Sequence, residues 1–161
     1  MKTRIVVFLI VGLFLGFSGA AHADLTVIGT ASYQGSTFNL IYDNNGPNGP
    51  ITWLDYSSPG NTWQNHVNWA SGLGSNLTVA LSPCYMSTID WTTDWRLPTT
   101  VDGPYVFGYN GTTTAGYNIT TSEMGHLYYT ALGNKGYYDT NGNGPQPGWV
   151  SPPHSGPFQN L

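Results

Sequence analysis

The sequence predicts an α+β fold of antiparallel strands, two short helices and long loops, and three observations lead there. The first part of the chain holds β-rich runs separated by turn residues, and two later stretches repeat at helical spacing with caps at their starts. Much of the remainder is rich in Gly, Asn, Thr and Tyr and keeps no period.

Leu25–Tyr33 and Thr37–Tyr42 are β-branched and aromatic runs joined by Gln34-Gly35-Ser36, which predicts a hairpin and therefore an antiparallel first pair. Asp43–Pro50 is a run of turn formers, and Ile51–Asp55 follows as a third strand. After a turn over Tyr56–Asn61, the residues Thr62, Trp63, Val67, Trp69, Ala70 and Leu73 fall near helical spacing. Asn61 or Thr62 serves as cap, and Gly72 and Gly74 form the stop. Trp63 and Trp69 are too far apart in phase to share one face, so only one reaches the core, and His66 falls on the polar side. Leu77–Leu81 reads as strand or irregular chain, broken by Ser82-Pro83. Val101–Asn118 has no sustained period and reads as a long excursion loop. A second helix is predicted over Glu123–Leu132, capped by Thr121 or Ser122 and stopped by Gly133-Asn134, with Met124, Leu127, Tyr128, Ala131 and Leu132 as its apolar stripe. Beyond Tyr138 there is no hydrophobic period, and runs such as Asn141-Gly-Asn-Gly-Pro-Gln-Pro-Gly and Ser151-Pro-Pro-His-Ser-Gly-Pro read as loop.

Residues 1–23 have the three parts of a secretory signal: Lys2 and Arg4, the apolar run Ile5–Phe17, and a small-residue site ending Ala21-His22-Ala23. Cleavage before Asp24 is expected, leaving one domain over residues 24–161, and no later segment is apolar enough to span a bilayer. The whole chain carries a formal charge of −4, and losing Lys2 and Arg4 takes it to −6. Such a chain lacks the basic footprint that binding a phosphate backbone requires, so nucleic acid is excluded as a partner. Cys84 is the only cysteine, which rules out an intramolecular disulfide, and the simplest expectation is a buried small hydrophobe.

Charge, bulk and stiffness concentrate in Asp94-Trp95-Arg96-Leu97-Pro98-Thr99. Arg96 is the one arginine after the leader, and between Trp95 and Leu97 its guanidinium is expected to be buried against a carboxylate, with Asp94, Asp90 and Glu123 as candidates. Glu123 also suits a helix start, and the reading favours both roles at once. Pro98 biases Leu97 towards extended backbone, so the segment reads as a strand end turning at Thr99-Thr100.

With Trp53-Leu54-Asp55 ahead of this motif, the Trp-containing helix between and the Glu123 helix after it, the chain resembles the Lcl C-terminal domain family over most of Leu40–Leu132. The Arg-Leu-Pro-Thr segment before a Glu-bearing helix also resembles the core of C-type-lectin-like and sulfatase-modifying-factor folds. The resemblance implies a lectin-like architecture with Trp53, Asp94, Trp95, Arg96, Leu97, Pro98 and Glu123 as its structural core. It also implies an exported bacterial module that adheres to glycan or matrix. The family's closing segments, around Tyr-Trp-Ser and of Ala-Trp-x-Val-Arg type, are not found here; exported relatives often end in a PEP-CTERM sorting tail, so the resemblance implies a PEP-CTERM-associated protein whose given sequence does not reach that tail. The domain is therefore expected to be incomplete at its C-terminal end, with its last strands missing. Trp53 and Trp95 should then face an incompletely covered core, with nothing in Asn134–Leu161 to replace those strands.

No catalytic residue is indicated and no enzyme is expected. A sulfatase-modifying-factor-like activity, expected to need reactive cysteines or a metal, finds only Cys84; glycosidase chemistry needs a placed carboxylate pair that the scattered acids do not mark out. His66, His126 and His154 are not grouped as zinc ligands, and His126 is read as a satisfied polar residue. No cofactor is expected, with Ca²⁺ weighed at one place. Asp139, Asn141 and Asn143 open like a D-x-N-x-N-G loop, but Val150 stands where its closing Glu belongs, so a solvated turn is the favoured reading. Tyr105, Tyr109, Tyr117 and Tyr138 are the candidate ligand-binding rings, set beside amides and hydroxyls that suit a sugar; the alternative is that they cover the core beneath long loops. A structural envelope protein without a ligand is the alternative function.

Overall fold

The computed structural model describes residues 25–85, 91–92, 95–109 and 111–160. The leader, Asp90 and Asp94 lie outside the described residues. The fold is α+β, with one antiparallel four-stranded sheet and a few short helices. Strands β1 (Leu25–Tyr33), β2 (Ser36–Asp43), β3 (Ile51–Leu54) and β4 (Thr78–Leu81) lie in the order β3-β2-β1-β4.

Gln34 and Gly35 both have positive φ, 50° and 81°, which is the backbone of a type I′ turn and fixes the β1–β2 register with Tyr33 opposite Ser36. Because β2 lies inside the sheet, its neighbours Leu40 and Ile41 are both fully buried although they point to opposite faces. Each contributes about 2 kcal/mol by leaving water. On one face Ile28, Ala31 and Leu40 pack with Leu54, Leu77, Trp91 and Trp95; on the other Ile41 packs with Leu127, Phe158 and Trp53. The sheet is thus sandwiched between two irregular layers.

Helix α1 (Trp63–Ser71) starts at Thr62, whose side chain accepts from the Asn65 N–H, and ends at Gly72. Its Trp69 stacks on Tyr56, with ring centroids 5.3 Å apart, and donates its indole N–H to the Tyr33 hydroxyl, while Trp63 stays exposed.

Several expectations are corrected. The second helix is a single α turn, α2 (Glu123–Gly125), that runs into a π-helix at His126–Ala131. Leu132 donates to the Leu127 carbonyl at 2.9 Å, a step of five residues that widens the turn. The inward face therefore begins Gly125, His126, Leu127, and Met124 is exposed. Only glycine fits at 125, because a Cβ there would overlap the Ile119 carbonyl. Trp95–Thr100 is not a strand and pairs with nothing in a ladder. Cys84 is exposed, because Pro83–Tyr85 is one 3₁₀ turn in which Tyr85, not the thiol, packs on the core. His126 is buried with its Nε2 only 3.4 Å from Asp43 Oδ2, yet neither atom makes a well-aligned hydrogen bond.

The C-terminal segment packs onto the sheet without forming a strand. Phe158 inserts between Ile41 and Leu127. The buried Asp55 carboxylate holds the residues after it, accepting from the Gln159 N–H at 2.9 Å and the Asn160 N–H at 3.0 Å. Further back, Asn134 exchanges two hydrogen bonds with the His154 backbone. The segment needs no strand of its own, since side chains with paired donors and acceptors satisfy its backbone.

Candidate functional site

The π-helix and the turn before it place Glu123 where the long loop begins. Ser122 caps α2 by accepting the Gly125 N–H at 3.0 Å, so Glu123 enters the first turn with its side chain turned away from solvent. Arg96 meets it as a two-pronged fork, Nη1 to Oε2 at 2.8 Å and Nη2 to Oε1 at 2.6 Å, and the Thr99 N–H donates to Oε2 at 2.8 Å. Nη1 also reaches the Leu97 carbonyl and the Thr99 hydroxyl, which folds the segment around its own guanidinium. Of the three carboxylates open to Arg96 in the sequence, Glu123 is the one it holds among the described residues. The expected burial of Arg96 is corrected: its side chain is 53% exposed and the carboxylate is the buried member at 3%. Pairing with Arg96, helped by the Thr99 N–H and Asn48, pushes the Glu123 pKa down to about 2 against the opposing effect of burial. The Arg96 pKa is raised by the same contact.

Two recesses flank this pin. One is a small polar pocket of about 170 Å³ beneath Tyr109, walled by Asn48, Thr99, Thr112, Thr114, Thr121 and Ser122, with Glu123 behind. The other is an open cleft of about 680 Å³ beside β3, to which Trp53, Trp69, Trp91 and Trp95 contribute together with Arg96, Leu97 and Pro98. The core motif residues Trp53, Trp95, Arg96, Leu97 and Pro98 are therefore gathered at one cleft, and Glu123 stands just behind.

The four candidate tyrosines do not form one site. Tyr105, Tyr117 and Tyr138 cluster with Phe107, with neighbouring ring centroids 5.1 to 6.5 Å apart. Tyr109 stands apart at the polar pocket and is 53% exposed. Two side chains that the sequence reading passed over hold the cluster: Asn118 donates to the Phe107 and Tyr138 carbonyls at 2.7 and 2.9 Å, and Gln146 donates to those of Gly136 and Tyr138. Asn118 has a positive φ of 60°, a conformation that asparagine adopts more readily than most residues, and its identity was the one signal the sequence offered.

Asp139 Oδ1 accepts from the Asn141 and Asn143 N–H groups, both at 2.8 Å, and the Asn143 side-chain amide faces Oδ2. These contacts, the Asn143 N–H first, lower the Asp139 pKa. The loop thus turns its carboxylate onto its own amides, whereas Ca²⁺ gathers about six to eight oxygens. Among the described residues no three of His, Cys, Asp or Glu converge.

No protein-family model, curated protein or solved structure matches the chain.

Two predictions follow from these geometries. Glu123 titrates lower folded than unfolded, so its contribution is present above about pH 4.5 and lost as pH falls towards about 2. With solvent screening at the half-exposed Arg96, the loss is of order 2 kcal/mol. Urea unfolding at stepped pH should show this decline in the parent but not in Glu123→Gln; parallel curves for the two would contradict it. At Asp139, millimolar Ca²⁺ should leave the melting temperature unchanged while Asp139→Ala lowers it; a Ca²⁺-dependent rise abolished by that substitution would show that the loop binds the ion.

Proposed function

We propose that the protein is an exported, non-catalytic binding module for glycans, acting at the cell surface or in the extracellular matrix. We read its fold as C-type-lectin-like, on the strength of the resemblance to the Lcl C-terminal domain family carried by Trp95-Arg96-Leu97-Pro98-Thr99 and Glu123. The observation that carries the function is the polar pocket beneath Tyr109. Its wall carries threonine and serine hydroxyls, of which those of Thr99, Thr114 and Ser122 already bond Arg96, Val101 and the Gly125 N–H and offer a sugar only their remaining capacity, the Asn48 amide leans on Glu123, and the exposed Tyr109 ring offers a flat apolar face at the rim. A sugar ring presents the same alternation of hydroxyls around an apolar C–H face, and a recess of about 170 Å³ suits one such ring better than a larger apolar ligand.

Its buried carboxylate supports binding over catalysis. A general acid or base works best with a pKa near the working pH, whereas Glu123 is held near 2 with both oxygens occupied. Glu123 shapes the pocket wall instead of moving protons.

A glycan array probed with the purified protein, followed by calorimetry on the bound sugars, tests the reading. Binding should weaken about tenfold in Tyr109→Ala, equivalent to one lost stacking contact, with the melting temperature unchanged because the ring is exposed. An empty array would favour a structural envelope role, and undiminished binding by Tyr109→Ala would move the site elsewhere.

A further inference from the structure

The two hydrophobic layers that sandwich the sheet continue past the place where the sheet stops. β3 pairs only with β2 and is an edge strand among the described residues. All of Ile51, Thr52, Trp53 and Leu54 border the 680 Å³ cleft. Side chains on a strand alternate between faces, so a cavity lying against one face would meet every second residue. Contact with four in a row places the cleft along the open edge itself. Its walls come from both layers, Trp53 and Phe158 from one, Leu54, Trp91 and Trp95 from the other.

Hydrogen-bond phase adds the second observation. The Asp55 N–H donates to the Asn39 carbonyl at 3.0 Å, so in this antiparallel ladder Trp53 and Ile51 bond inward to β2 while Thr52 and Leu54 face the cleft. The Leu54 carbonyl is taken by the Tyr56 N–H. The Thr52 N–H and carbonyl and the Leu54 N–H have no hydrogen-bond partner among the described residues. The indole N–H groups of Trp53 and Trp91, which also border the cleft, are buried without a partner among the described residues. Unmade backbone and indole hydrogen bonds beside apolar walls are the complement of an extended polypeptide, not of a featureless hydrophobe.

We propose that this cleft accepts one extended peptide strand from another protein, added to β3 as a fifth strand. Its main chain bonds Thr52 and Leu54, and its side chains are apolar on both faces, because each face meets one hydrophobic layer. Arg96, half exposed at the cleft, is already paired with Glu123 through both of its terminal nitrogens, so the cleft specifies no charged side chain and the strand is recognised by its main chain and apolar side chains. This reading is independent of glycan binding, which uses different side chains.

The test uses an N-acetylated hexapeptide of alternating valine and isoleucine ending in aspartate, titrated into the purified protein with tryptophan emission as readout. Saturable binding with a spectral shift is expected. N-methylation of alternate peptide amides should weaken it about tenfold or more, as should Thr52→Pro, which removes the outward N–H that an edge strand can spare. No binding, or equal binding of the N-methylated peptide, would overturn the proposal, the latter by reducing the cleft to a nonspecific apolar pocket. Concentration-dependent dimers abolished by Thr52→Pro would overturn it in favour of a second copy of this chain. If Thr52→Pro fails to fold, the N-methylated peptide still decides.

Discussion

Glu123 is nearly inaccessible to water, and a carboxylate in that position is tolerable only if its charge and lone pairs are met. The Arg96 fork and the Thr99 N–H meet them, with three donor contacts between 2.6 and 2.8 Å. Desolvating an ion costs several kcal/mol, and a half-exposed guanidinium offsets that cost well because it gives up less of its own hydration. The geometry joins residues 27 apart in sequence and decides where the chain runs between Trp95 and Thr99. No ladder holds that stretch, so the ion pair takes the place of secondary structure.

Both recesses depend on this pin. Thr99 and Glu123 belong to the polar pocket, while Arg96, Leu97 and Pro98 form one bank of the cleft. The same segment therefore borders both a hydroxyl-lined pocket and an aromatic one. Asp55 plays a parallel part at the far end of β3, where its carboxylate ties down Gln159 and Asn160 and so brings Phe158 into the layer opposite Trp95. Two buried acids in a chain poor in charged residues are both spent on fixing irregular backbone.

Local chemistry made the first hairpin, the β3 strand, helix α1 with its Thr62 cap and the Gly72 stop legible in the sequence, because each is specified by residues close together. Glu123 was readable as a helix-start acid and as one of three partners for Arg96, since a lone arginine beside a tryptophan has few alternatives. The π-helix was not, because its widened turn leaves no distinct periodicity in His126–Ala131. Phe158 was hidden as a single aromatic among Gly and Pro, and Asn118 and Gln146 as polar residues whose partners are distant carbonyls. The burial of Asp43 against His126 and the exposure of Cys84 likewise depend on tertiary placement that no local pattern encodes. The cleft was foreshadowed by Trp53 and Trp95, but its edge-on geometry requires the sheet order.

The central claim is that the Arg96–Glu123 pair, more than either residue's separate contacts, holds the 95–99 segment in place. A double-mutant cycle with Arg96→Met, Glu123→Gln and the combined variant isolates that pairwise energy in urea unfolding at neutral pH. The account predicts a coupling of about 2 kcal/mol, above the range of exposed ion pairs. A coupling under about 0.5 kcal/mol, within the spread of independent sites, would contradict it.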